Sequence, residues 1–196
     1  KMQAGKYRTL IPLFEEMKGE RVIVRPYRES DAQSLFEAVA ESREHIRPWE
    51  PFADAHQSVE ESHDLIIHWM AQWLLREYLA VGFWDRASSR YLGSSGLRPH
   101  DWELGYFEIG YWIRASETGH GYVTEMVKLL TGYAFAHLHA RRVEIRCNAR
   151  NERSAAVARR LGFVQEARLR NHALTHLGEV RTTLVFALIP EDWEKH

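Results

Sequence analysis

Two glycines one residue apart, in Thr118-Gly119-His120-Gly121-Tyr122-Val123-Thr124-Glu125, stand between a strand-like run and a helix-like one, and nothing else in the chain limits its fold as tightly. The run before them, Tyr106 to Ile113, is rich in aromatic and β-branched residues. After them, Val123, Val127, Leu130, Ala134 and Leu138 recur at helical spacing, so a helix is expected from Gly121 to about His137. A strand that turns through glycine into a helix presents the helix's unpaired first-turn amides and the positive end of its dipole at one end of a sheet. That arrangement binds a pyrophosphate, and glycine lets the backbone come close to it. Position 124 is Thr rather than the third glycine of a dinucleotide fold, and no Lys-Ser or Lys-Thr follows as in a phosphate-loop NTPase. On its own, Gly-x-Gly before a helix also describes a plain tight turn.

The rest of the chain supplies a sheet and more helices. Residues Lys1 to Gly19 form a loosely patterned arm, and Arg21 to Arg25 alternates like a strand until Pro26. Ser30-Asp31-Ala32-Gln33 and Ser58-Val59-Glu60-Glu61 read as capping boxes opening two helices, with the loop Arg43 to Gln57 between them. Tyr78 to Trp84, Tyr91 to Leu97 and Tyr106 to Ile113 read as three consecutive antiparallel strands, with Pro99-His100-Asp101 taken as a turn. A strand from Arg142 to Cys147 follows the long helix, Asn151 opens a short helix ended by Gly162, and Phe163 to Leu174 with Val180 to Leu188 closes the sheet. With no repeats or linkers, one α+β domain spanning residues 1–196 is the economical reading.

Composition narrows the partners. A formal charge of −1 removes the general attraction to phosphate backbones that nucleic-acid binders carry, so no nucleic-acid partner is expected. No apolar run is long enough to span a bilayer and the N-terminus lacks a secretory pattern, so a cytoplasmic protein without a membrane partner is expected. One cysteine, Cys147, excludes an internal disulfide and a cysteine-rich zinc site. His172-Ala173-Leu174-Thr175-His176 lacks the glutamate of a zinc-protease helix, and no metal is expected.

The glycine turn gains meaning from its neighbours. Glu108-Ile109-Gly110-Tyr111-Trp112-Ile113 precedes it, and Cys147-Asn148-Ala149-Arg150-Asn151-Glu152-Arg153-Ser154 and Arg160-Leu161-Gly162-Phe163 follow in order. With these pieces the chain resembles the GNAT superfamily of N-acetyltransferases, and especially its RimJ/RimL branch, which acetylates ribosomal-protein N-termini. The resemblance implies a mixed, mostly antiparallel central sheet flanked by helices and splayed between its fourth and fifth strands, with acetyl-coenzyme A in the gap. It further implies that the backbone of Tyr111, Trp112 and Ile113 pairs with the pantetheine arm. On the same resemblance the amides of Gly119, His120, Gly121, Tyr122, Val123 and Thr124 would hold the pyrophosphate and Asn151 would bond the arm from the other side; Arg160, on the short helix, is a separate candidate to reach a coenzyme A phosphate. The family's usual Gln or Arg three residues before the first glycine is Ser116 here. A homodimer is the family-level expectation.

Acyl transfer from a thioester to an amine needs a neutral nucleophile, help for the oxyanion and a proton for the departing thiolate. Many members of the resembled family use a tyrosine seven residues after the Asn, but that position is Ala158. Ser154 is the substitute expected, since some Rim-type relatives carry serine there. Glu108, on the strand beside the splay, is the expected base, ahead of His172 and Glu166. Cys147 reads as a small buried strand residue. Trp69 and Trp73 read as core, whereas Trp49, on a Pro-rich loop, reads as a wall of the acceptor pocket. The acceptor expected is the N-terminal α-amine of a protein such as a ribosomal protein. The alternatives are a small amine (an aminoglycoside, polyamine or aminoacyl compound) or a non-catalytic acyl-coenzyme A sensor. An open groove suits a peptide and a closed, acidic pocket suits a polycation.

Overall fold

A computed structural model describes residues 7–194; residues 1–6 of the arm lie outside them. The elements in chain order are β1 (Met17–Lys18), β2 (Val22–Pro26), α1 (Ala32–Ile46), α2 (Val59–Leu75), β3 (Leu79–Asp85), β4 (Tyr91–Asp101), β5 (Tyr106–Ile113), α3 (Tyr122–His137), β6 (Arg142–Asn148), α4 (Glu152–Arg160), β7 (Val164–Leu174), β8 (Val180–Leu188) and α5 (Pro190–Trp193). They build one eight-stranded sheet in the order β1-β2-β3-β4-β5-β6-β8-β7. Every pairing is antiparallel except β5 with β6.

Alternation along the strands divides the apolar residues between two faces. Val81 and Phe83 join Met126, Val127 and Leu130 of α3 and Ala155 and Ala158 of α4 in one cluster. Ala80 and Trp84, pointing the other way, join Leu35, Ala38 and Val39 of α1 and Ile66 of α2 in a second. Trp69 packs on Tyr27 with ring centroids 4.8 Å apart and Trp73 on Phe14 at 5.3 Å, both half-buried against the core.

The short β1 inside the arm moves the expected fourth and fifth strands to β5 and β6, and these do splay. They pair only at Tyr106, Phe107 and Glu108 with Arg142, Val143 and Glu144. Beyond that point β5 stays on β4 out to Ile113 while β6 stays on β8 out to Asn148. Glu144, 3% exposed, pins the crotch of the splay. Its carboxylate accepts from the Tyr106 hydroxyl at 2.6 Å and from Arg146 Nε at 2.9 Å, and Arg142 pairs with it as well. Burial pushes this carboxyl's pKa up, but the three donors outweigh it and hold it below the usual range.

Three local expectations need correction. Ser30 does not cap α1, because Asp31 takes that position and its carboxylate is occupied by both Arg25 terminal nitrogens at 2.8 Å and by the Arg28 amide. The Ser58 box is half formed: Ser58 Oγ accepts the Glu61 amide at 3.2 Å, while the Glu61 side chain serves the Gln57 amide instead. Pro99-His100-Asp101 belongs to β4, whose last pairings are Pro99 with Phe107 and Asp101 with Tyr106; the turn falls one step later and ends at Gly105, where φ is +75°.

Candidate active site

Helix α3 starts where the glycine turn ends. Gly119 and Gly121 have φ of +82° and +80°, a left-handed conformation that costs an L side chain about 1–2 kcal/mol. Gly121 is the residue before the helix, and the Glu125 amide makes the first bond back to its carbonyl at 3.1 Å. The amides of Tyr122, Val123 and Thr124 precede that bond and have no carbonyl one turn back. Arg21 and Glu125 clamp the turn onto β2. Arg21 Nη1 donates to the His120 carbonyl at 2.7 Å and Arg21 Nε to Glu125 at 3.1 Å, while Glu125 also accepts the Arg21 and Val22 amides at 2.8 and 3.2 Å. Sequence reasoning used Arg21 only as a strand residue. No local pattern links it to Glu125, 104 positions away.

The turn opens into a cleft of about 1010 Å3 running through the splay. Tyr111, Trp112, Ile113, Gly119, Gly121, Tyr122, Val123, Thr124, Asn151, Ser154, Arg160 and Trp49 all line it. His120 does not; its carbonyl faces Arg21 and its side chain is exposed. Ser116 stands apart as well, accepting from Arg90 at 3.1 Å. A long cleft with free helix-N-terminal amides at one wall and an unpaired strand edge at another fits an elongated, anionic donor such as acetyl-coenzyme A.

At the middle of the cleft α4 brings its first turn against β5 and β6. Asn151 Oδ1 caps the helix by accepting the Ser154 amide at 3.1 Å. The Tyr111 hydroxyl donates to the Ser154 carbonyl at 3.0 Å and lies 3.1 Å from Ser154 Oγ. Burial pushes the Tyr111 phenol well above its ordinary pKa, so it stays protonated and available as a donor. Cys147 is 5% exposed, and burial raises its thiol's pKa against a smaller lowering by Ser154. Ala158 is fully buried in the core and does not line the cleft. The tyrosine that approaches this serine comes from β5; the sequence marked Tyr111 for its backbone and missed its hydroxyl.

The far end of the cleft is made by the loop between α1 and α2 and by the β7–β8 hairpin. Arg43 holds the loop through the carbonyls of Ala53 and His56, the latter at 2.6 Å. Trp49 and Glu50 on this loop, and Leu174, Thr175, His176 and Arg181 of the hairpin, line the space. Burial against the cleft walls raises the Glu50 carboxyl; Arg181 opposes this and Glu108 adds to it. Glu108 itself does not line the cleft, and its carboxylate is taken by His100 at 2.8 Å, whose ring stacks on Tyr106. The two other base candidates are also outside: Glu166 pairs with Arg142 at 2.7 Å and His172 lies 3.5 Å from Thr183. Among the described residues no cluster of His, Cys, Asp or Glu could hold a metal ion, and no helix is long and apolar enough to cross a membrane.

A strand-turn-helix anion cradle on a sheet splayed between β5 and β6 defines a coenzyme A-dependent acyltransferase, and the comparisons with known proteins agree. The family model for the acetyltransferase (GNAT) domain matches residues 21–164, and the chain belongs to that family. It is 28% identical over 176 residues to the Bacillus subtilis (strain 168) protein named "Putative ribosomal N-acetyltransferase YdaF", covering 89% of this chain and 94% of that one. It is 27% identical over 201 residues to the [Ribosomal protein uS5]-alanine N-acetyltransferase of Escherichia coli (strain K12), covering 95% and 96%. In fold it is similar to the ribosomal L7/L12 alpha-N-protein acetyltransferase RimL solved with coenzyme A, with a TM-score of 0.82 over 89% of this chain and 98% of that one at 21% identity. The protein is an N-acetyltransferase that takes its acetyl group from acetyl-coenzyme A and passes it to an amine.

Proposed function

We propose that the acceptor is the N-terminal α-amine of a protein, in the manner that the names of the two relatives describe for ribosomal proteins. The observation that carries this reading is the charge of the cleft. Five arginines (146, 150, 153, 160 and 181) stand against three glutamates (50, 117 and 152) along its whole length, and at the acceptor end a single glutamate among the described residues, Glu50, faces Arg181, so the acidic lining that suits a polyamine or aminoglycoside is missing. The rim at the acceptor end is exposed and apolar, with Leu174 at 66% and Leu177 at 51% exposure, as suits the first side chains of a polypeptide.

The chemistry agrees with such an acceptor. An α-amine of pKa about 7.7–8.0 is roughly a tenth neutral near pH 7, whereas a lysine of pKa about 10.4 is neutral to well under a tenth of a percent. Little help from a base is therefore required. In the proposed roles, the Gly119–Thr124 turn and Asn151 position the donor, and Trp49 walls the acceptor. The Ser154 hydroxyl, held by Tyr111, gives its proton to the departing thiolate. Glu108, engaged by His100 and outside the cleft lining, is left to shape the field there and is not proposed as the base. The test is coenzyme A release from acetyl-coenzyme A with peptides of differing first residue, polyamines, aminoglycosides and free amino acids. Release with peptides and not with polycations is expected; the reverse preference overturns the assignment.

A further inference from the structure

Two unpaired charges of opposite sign face the acceptor end of the cleft. Glu50 comes from the loop after α1, and its carboxylate makes no hydrogen bond or ion pair among the described residues. Arg181 is the second residue of β8, and its guanidinium likewise has no such partner there. Arg181 Nε is moreover fully buried, and a buried donor without an acceptor costs free energy until something accepts from it. The two groups feel each other's charge yet stand too far apart for an ion pair. Glu108 of β5 and Tyr78, which precedes β3, also interact with Glu50, Tyr78 being pushed up to about 12 by burial and so a neutral neighbour, and His176 of the hairpin lines the same space. An open gap between an unpaired anion and an unpaired cation calls for a ligand with a cation at one end and a hydrogen-bond acceptor beside it.

Resting on the reading that the acceptor is a polypeptide N-terminus, we propose that Glu50 and Arg181 form a two-point reader of it. The Glu50 carboxylate takes the α-ammonium, and the Arg181 guanidinium donates to the first backbone carbonyl oxygen. The site then selects amines that carry a carbonyl one carbon away. Glu50 accepts the proton that the ammonium must shed and passes it to solvent. The neutral nitrogen forms the C–N bond as the C–S bond breaks. The second proton that leaves nitrogen replaces the one the thiolate takes from Ser154, so one amide, one thiol and one proton result.

The test compares two hexapeptide acceptors that differ only in an inserted backbone methylene, one beginning with an α-residue and one with the matching β-residue, whose carbonyl is one carbon further from the amine. The wild-type chain is expected to prefer the α-peptide in kcat/KM by about tenfold or more. Arg181→Gln should lower kcat/KM for the α-peptide by about tenfold to a hundredfold and leave the β-peptide nearly unchanged, collapsing the preference. Arg181→Lys, which keeps charge but not the fork, should recover only part of it. Coenzyme A affinity, measured by calorimetry on each variant, reports whether the fold is intact. A wild-type chain that acetylates both peptides equally, or an Arg181→Gln variant with an undiminished α-preference, overturns the two-point reader while leaving the peptide reading standing. A wild-type chain active only on alkylamines without a carbonyl overturns both.

Discussion

On the proposed assignment the cleft has a donor half and an acceptor half, and the two would recognise by different means. The donor half, between the α3 turn and β5, is built mainly of backbone: first-turn amides, two left-handed glycines and a strand edge. The acceptor half, between the α1–α2 loop and the β7–β8 hairpin, is built of side chains: Trp49, Glu50, His176 and Arg181. A backbone site needs only the right path of the chain, so its requirement is written as glycines in a short motif. A side-chain site needs particular groups brought from segments more than a hundred residues apart, and those groups can change without disturbing the fold.

The division is open to breakage by substitution. Gly121→Asp strains a left-handed position and sets a negative charge at the helix N-terminus; acetyl-coenzyme A affinity by calorimetry should fall by about a hundredfold, with acceptor KM at saturating donor little moved. If acceptor KM rises equally, the halves are not separable. Ser154→Ala should cut kcat by about tenfold to a hundredfold, at the low end for general acids because a thiolate of pKa about 8.5 is a tolerable leaving group, without changing donor affinity. Unchanged single-turnover rates would remove Ser154 from the chemistry. Trp49→Ala should raise acceptor KM about tenfold and leave donor binding intact; an effect on the donor alone would move Trp49 to the other half.

The smallest effect concerns stability. Because the cleft raises the Glu50 pKa in the folded state, folding favours its protonated form. Its contribution is fully present below the unfolded carboxyl's pKa and is lost as pH rises through the folded value. Glu50→Gln should therefore leave the melting temperature unchanged near pH 4 and raise it by about 1–2 °C at neutral pH, a modest gain since the side chain keeps access to solvent. A loss at neutral pH would show that Arg181 attracts Glu50 by more than burial costs it.

Most of the sheet and helices could be read from period and punctuation, because Val81 and Phe83 against Ala80 and Trp84, or Val127 and Leu130 along α3, obey local geometry. The Ser30 box does not form because Asp31 takes the N-cap position and its carboxylate is engaged upstream, by both terminal nitrogens of Arg25 and by the Arg28 amide. Arg21 under the glycine turn and Tyr111 against Ser154 are contacts across 99 and 43 positions that no local window contains, while Glu108 held by His100 follows from the β4–β5 register, which the Pro99-His100-Asp101 turn reading hid.

By itself the sequence marked the strand-turn-helix cradle, since left-handed glycines and free amides are local properties of a chain, and its ordered companions from Tyr111 to Phe163 carried the family resemblance that implied the acyl donor. The proposed acceptor end takes shape only in three dimensions. The roles proposed for Glu50 and Arg181 rest on their standing unpaired in one cleft, and an electrostatic gap is a property of distance through space, which sequence separation does not encode.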